Sequence, residues 1–272
     1  MRKIIINVLV SILLLSDSLF GQGIKMRAPA AETVRAELTF MHPSFERTSD
    51  LSVFSGIYVF NLSVPVHKKF NILLGLPFST WSSDAGDSEQ AFGNLFIGTQ
   101  TKSADTTGLI PSAVFGVHLP TASDDESSAA ALAFITDFHE QHRYWPNTVT
   151  IILNGAWHNQ VEKRGFYALE LGARFLIPTD SGERSSEMIL NYGASGGFNL
   201  DPVALSLELA GQFLLSSEAD SFSDKFYHTL SFGGKWTRGP FRPMIFYSLY
   251  LEEWLSDSVN GVLGIRLTYF FD

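Results

Sequence analysis

The sequence predicts an all-β protein, a transmembrane antiparallel up-and-down β-barrel of about 12 strands, and three observations predict it. The chain ends on a strand, Val259 to Phe271. It sets Val259, Gly261, Leu263, Ile265, Leu267, Tyr269 and Phe271 on one face, with Asn260, Gly264, Arg266 and Thr268 among those on the other. The first face suits lipid and the second water. The same period-two alternation recurs along most of the chain, punctuated by turn residues. The chain also starts with Arg2 and Lys3, then an apolar run from Ile4 to Leu15 broken only by Asn7 and Ser11, then Ser16, Asp17 and Ser18. A charged start, a short hydrophobic stretch and small residues have the layout of an export signal.

Residues 1–21 are therefore expected to be a signal peptide and 22–272 the barrel, with cleavage before Gln22 or, as an alternative, after Ser18. The absence of Cys excludes a disulfide framework, a thiolate metal site and a thiol nucleophile. Without residues 1–21 the chain keeps 17 basic and 27 acidic residues, since only Arg2, Lys3 and Asp17 are lost. Nucleic acid, which needs a basic footprint, is not an expected partner. The composition is 45% hydrophobic with 23 Phe, yet beyond the signal no apolar stretch approaches the ~18 residues of a spanning helix. Spread over short alternating segments, that apolar content suits a barrel whose outer wall needs no polar coat.

In order, the predicted strands are Arg35–Met41, Ser52–Val64, Phe70–Thr80, Gly93–Thr101, Leu109–Pro120, Thr148–Asn159, Phe166–Ile177, Met188–Phe198, Val203–Leu215, Phe226–Thr237, Met244–Glu252 and Val259–Phe271. Their even number permits closure, and their connections alternate in length as a barrel requires. With the first strand running outward, the periplasmic turns are short and carry Lys68, Lys69, Lys102, Lys163, Arg164, Arg238 and Arg242. The outer connections carry Asp84, Asp87, Glu89, Asp124, Asp125, Glu126, Asp180, Glu183, Glu218, Asp220, Asp224 and Asp257. Length and charge sort together, which a miscounted strand would have scrambled. A soluble lipocalin-like barrel would need polar outer faces, whereas Phe54, Tyr58, Phe60 and Leu62, or Val203, Leu205, Leu207 and Leu209, make long apolar ones.

Turning the apolar alternates to lipid sends a polar set inward: Glu37, Asn61, Asn71, Asn94, Gln100, His118, Asn154, His158, Glu170, Arg174, Asn191, Glu208, Gln212, Lys235 and Arg266. Charges drawn out of water persist as paired networks. Glu37 and Arg266 fall on the first and last strands and are expected to bridge the closing seam. Glu170, Glu208, Arg174 and Lys235 are expected to form a second cluster. These six are the candidate lumen or constriction residues, and they could serve as structural ion pairs, as a solute filter, or as both.

No catalytic, cofactor or metal residues are predicted. A membrane hydrolase needs a Ser within reach of an oriented His, and His228 and Ser231, three positions apart on a strand, point to opposite faces. His139 and His142 have the spacing of a metal pair on a helix but read as solvated loop residues. The connection from Thr121 to Asn147 is unusual because Ala129, Ala130, Ala131, Leu132, Ala133, Phe134, Ile135 and Phe138 make it apolar. A short helix is expected there, packed against the rim or folded into the mouth as a gate.

Gly93-Asn94-Leu95, Ile110-Pro111-Ser112, Leu119-Pro120-Thr121 and Leu76-Pro77-Phe78 resemble segments of the outer-membrane family named for the MetA pathway of phenol degradation. The layout covers roughly residues 50–272. The family usually has Asp where Asn94 stands and Gly where Ala122 stands. The resemblance implies a barrel that passes small, often aromatic or hydrophobic, molecules across the bacterial outer membrane. The expected function is thus a passive channel for small solutes without a cofactor. The alternatives are a surface structural or adhesion barrel and an outer-membrane lipid hydrolase. Expected partners are a small-molecule solute, outer-membrane lipids and lipopolysaccharide, and the barrel-assembly machinery through the C-terminal strand. The acidic outer rim is expected to favour cations or repel anions.

Overall fold

The computed structural model describes residues 24–25, 30, 32–45, 51–83, 87–101, 109–122, 127–161, 164–180, 185–216 and 225–271; the predicted signal peptide lies outside them. The strands are β1 (Val34–Ser44), β2 (Gly56–His67), β3 (Phe70–Ser82), β4 (Ser88–Phe92), β5 (Phe96–Thr101), β6 (Leu109–His118), β7 (Thr148–Val161), β8 (Gly165–Pro178), β9 (Glu187–Asn199), β10 (Val203–Leu214), β11 (Phe226–Trp236), β12 (Phe241–Tyr250) and β13 (Gly261–Phe271). Both β4 and β5 pair with β3, at Phe78↔Phe92 and Gly75↔Phe96, so they are two pieces of one barrel strand interrupted at 93–95. The architecture is a closed antiparallel barrel of 12 strands. Closure comes from β1 and β13, which pair from Val34↔Phe271 to Ser44↔Gly261.

Successive side chains alternate across the wall. Outside, Phe60, Ile72, Leu74, Leu171 and Ile245 are exposed, while the intervening Asn71, Gln100, Asn154, Glu170 and Gln212 are buried inside. A barrel built for water would reverse this arrangement, because exposed apolar bands of such extent are tolerated only against lipid or a partner. One mouth carries short turns, residues 68–69, 200–202 and 237–240 among them, and therefore faces the periplasm. There Arg238 donates from Nε and a terminal nitrogen to both Asp201 oxygens at 2.8 Å. That hydrogen bonding, with the guanidinium charge, holds the Asp201 carboxyl below its ordinary range.

Several boundaries differ from expectation: the second strand is Gly56–His67 and leaves Phe54 outside it, the first extends to Ser44, and the eleventh begins at Phe241, so Arg242 belongs to the wall and not to a turn. Two further differences bear on the site. The fourth barrel strand begins at Ser88 rather than Gly93, so Glu89 belongs to the wall and not to a loop. Val259 is not on the lipid face: it follows the short helix Glu253–Ser256, donates its N–H to the Leu255 carbonyl at 2.8 Å and is fully buried. Its alternation with Gly261 continues the strand pattern in sequence, but the helix turns the chain over the rim and tucks the valine under it.

Candidate functional site

The apolar connection between β6 and β7 lies inside the barrel. Helix α1 (Ser128–Thr136) begins where the Ser127 hydroxyl accepts from the Ala130 N–H at 3.2 Å. The Ser128 N–H donates to Glu89 on β4 at 2.6 Å, which places a carboxylate at the positive end of the helix. A tight 3-10 segment, Phe138–Tyr144, follows. Ala133, Phe138 and Tyr144 pack with Met41, Ile57, Val59, Met244, Phe246, Tyr250 and Val262 from the wall. Around the inserted segment the lumen is thus apolar on the β1, β2, β12 and β13 side, which the polar inward set did not reveal. Phe138 and Leu132 each contribute roughly 1.5–3 kcal/mol on burial, enough to draw the segment out of water.

His139 and His142, expected to be solvated, are buried within the lumen. The difference arises because a connecting segment is expected at the surface, whereas here its apolar neighbours carry it into the barrel. The Arg174 guanidinium donates to the His139 carbonyl and to the Glu140 carboxylate, both at 2.6 Å. Gln212 donates to the same carbonyl. Glu140 also meets Arg143 at 3.0 Å, and Asp137 is held by Lys25 at 2.8 Å and by Arg143 at 3.2 Å. The Tyr250 hydroxyl donates to the Thr136 carbonyl at 2.7 Å. Burial and the facing Arg174 push both imidazoles down, His139 to about 3 and His142 well below the ordinary range.

The interruption at 93–95 is where this segment is fastened. The Asn94 side chain donates to the carbonyls of His142 at 3.2 Å and Trp145 at 2.8 Å, and accepts from the Ala122 N–H at 2.9 Å. The Thr121 hydroxyl accepts from Leu95 N–H and donates to the Gly93 carbonyl. Two of the motifs that carry the family resemblance therefore clamp both ends of the inserted segment against each other. A Cβ on Gly93 would sit 2.6 Å from the Arg143 carbonyl oxygen, so only glycine allows that close approach.

A second piece of chain enters from the N-terminal side. The backbone N–H groups of Ile24 and Lys25 both donate to Glu208, and the Ile24 carbonyl accepts from Arg266 at 2.7 Å. Between these insertions a cavity of about 110 Å³ remains, bordered by Arg35, Glu37, Asp137, Glu140, Arg143 and Arg266. It has room for several waters.

Of the six candidate residues, Glu37 and Arg266 do meet across the closing seam, 3.5 Å apart, and Arg266 also donates to the Thr39 hydroxyl. The expected second cluster is instead dispersed in its described hydrogen bonds. Arg174 goes to the inserted segment, Glu208 to the N-terminal segment, and Glu170 to Asn154 and Asn191 at 3.2 and 3.4 Å. Lys235 sits among the charges of Glu37, Arg35, Arg242 and Arg266. Sequence reasoning did not single out Lys25, Arg143 or Tyr250. A readable signal was the density of Asp137, Glu140 and Arg143 directly behind an apolar run. Ser231 bonds Ser248 inside the lumen, whereas His228 bonds Tyr192 and Glu252 away from it, as the opposite-face expectation holds.

No protein-family model and no curated protein matches the chain. Solved structures do. The COG4313 outer membrane channel from Pseudomonas putida F1 superposes with a TM-score of 0.60 at 16% identity, over 93% of this chain and 100% of that one. NanC porin superposes with a TM-score of 0.52 at 8% identity, over 88% of this chain and 99% of that one. What is shared at these identities is the fold, that of a bacterial outer-membrane β-barrel.

Proposed function

We propose that the protein is an outer-membrane channel for small aromatic or hydrophobic solutes, held closed by the segment 127–144. The observation that carries this reading is the lumen itself. A cylinder of 12 strands is wide enough to be hollow, and this one is filled by a separate segment fastened at its ends rather than by its own wall side chains. A filling that can leave is a gate, and the wall behind it is half apolar and half charged. Such a wall solvates the ring of an aromatic solute while fixed polar groups replace part of its hydration. The motif resemblance to the phenol-degradation family and the likeness to the COG4313 outer membrane channel support the same reading. The test is uptake of phenol and of a neutral sugar into liposomes carrying the refolded protein, alongside planar-bilayer recordings. Phenol entry above protein-free controls, with brief openings in the recordings, is the expected result. A folded barrel that never conducts and admits no phenol would favour a structural or adhesive role instead.

A further inference from the structure

We propose that the periplasmic half of the lumen is a binding site for the carboxylate of a small aromatic or alkyl acid. The proposal deepens the channel reading, on which it rests, by naming the class of solute. β11, β12, β13 and β1 are consecutive around the barrel. Their inward faces carry Lys235, Arg242, Arg266 and Arg35 towards the short-turn mouth. Among the described residues, the inward faces of these four strands carry one carboxylate, Glu37. The register brings these groups together: Lys235 lies opposite Met244 and Met244 opposite Arg266, Arg242 and Glu37 both lie opposite Thr268, and Arg35 lies opposite Phe270. Four cations against one acid leave an excess of positive charge between low-dielectric walls, which concentrate its field. The outer half differs, because each of its cations, Lys25, Arg143 and Arg174, is engaged directly by Asp137 or Glu140.

Apolar surface adjoins this charge. The Arg242 guanidinium carbon lies 4.4 Å from the centre of the Phe270 ring, and that of Arg266 5.8 Å from the Phe246 ring. The cavity is lined by Arg35 and Arg266 together with the apolar Met41, Val59 and Leu73, and by the acids Glu37, Asp137 and Glu140, which Arg266, Lys25, Arg143 and Arg174 engage. A ligand with one anionic end and one apolar end satisfies both surfaces, and the planar guanidinium fork matches a carboxylate. A neutral aromatic gains only the apolar part, and an amine is repelled.

The experiment is calorimetric titration of the folded, full-length mature protein in detergent with benzoate, benzyl alcohol and benzylamine. Benzoate is expected to bind saturably and at least tenfold more tightly than benzyl alcohol, with the gain lost in concentrated salt through screening. Lys235→Met and Arg35→Gln, each checked for heat-modifiable migration as evidence of folding, should weaken benzoate about tenfold, the loss of one charged hydrogen bond. Benzyl alcohol binding should be unmoved, and Lys235→Arg should keep benzoate. Equal affinity for benzoate and benzyl alcohol, no saturable benzoate binding, or a Lys235→Met protein that binds benzoate as tightly as the parent would each overturn the site. Benzoate binding without solute uptake in liposomes would remove the channel reading and leave the site. Uptake with no preference for benzoate would do the reverse.

Discussion

The two halves of the lumen solve the same problem differently. In the outer half, Asp137 and Glu140 are held in direct ion pairs by Lys25, Arg143 and Arg174 across the joint between wall and inserted segments. Towards the short-turn mouth the inward faces of β11, β12, β13 and β1 carry four cations and one acid, and the neighbouring cavity is bordered by Arg35, Glu37 and Arg266 as well as by Asp137, Glu140 and Arg143 of the inserted segment. Charge paired across the joint serves to hold a piece of chain in place, whereas the charge of the wall near the short-turn mouth faces the path of whatever enters.

The largest test of that contrast is removal of Ala129–Phe138. Single-channel conductance should rise several-fold, because the outer half loses its filling while the wall is untouched. Unchanged conductance would show that the segment does not close the path. Next in size is Arg174→Met, which strips Glu140 and the His139 carbonyl of a donor inside the lumen. Removing one partner of a buried pair costs about 3–5 kcal/mol, charged here to docking of the segment. Trypsin cleavage after Arg143, absent in the parent, would register it.

Acidity probes the same joint more gently. His139 and His142 are held neutral when docked, at values below the ordinary 6.5. Their contribution to docking is complete above that value and declines as the pH falls from 6.5 towards 3, where the docked state binds fewer protons than the released one. Arg174, Glu140, Lys25 and Asp137 face His139, and Arg174, Glu140, His118 and Arg143 face His142. Open probability in bilayers should therefore increase between pH 6.5 and pH 4, and a flat profile would exclude the pair as a contributor. The smallest effect belongs to Asp201→Asn, which breaks an exposed pair in the periplasmic turns. Solvent-facing pairs contribute little, so the melting temperature should not move measurably.

The wall was legible because lipid imposes a strict rule on every second residue. Leu263, Ile265, Leu267, Tyr269 and Phe271 alternate with Gly264, Arg266 and Thr268, and each is where that alternation sends it. Glu37 and Arg266 could be matched because closure forces first and last strands together. The lumen was less legible. Nothing local to Ala129–Phe138 says whether an apolar loop lies on the rim or within the barrel, since both bury it. The depth is fixed by Asn94, Arg174 and Tyr250, residues distant in sequence, and by a glycine at 93 whose need is visible only once the Arg143 carbonyl is seen beside it. Likewise Val203–Leu214 is an obvious strand, yet Glu208 at its centre offered no hint that its partners would be backbone amides of Ile24 and Lys25.

That last contact carries a consequence for closure of the barrel. Ile24 and Lys25 touch β10, β13 and the 137 region at once, and the β1–β13 seam seals the cylinder around them. Arg266 holds the Ile24 carbonyl and also the seam residues Glu37 and Thr39, so docking of Ile24 and sealing of the cylinder share one guanidinium, and loss of that side chain should loosen both together.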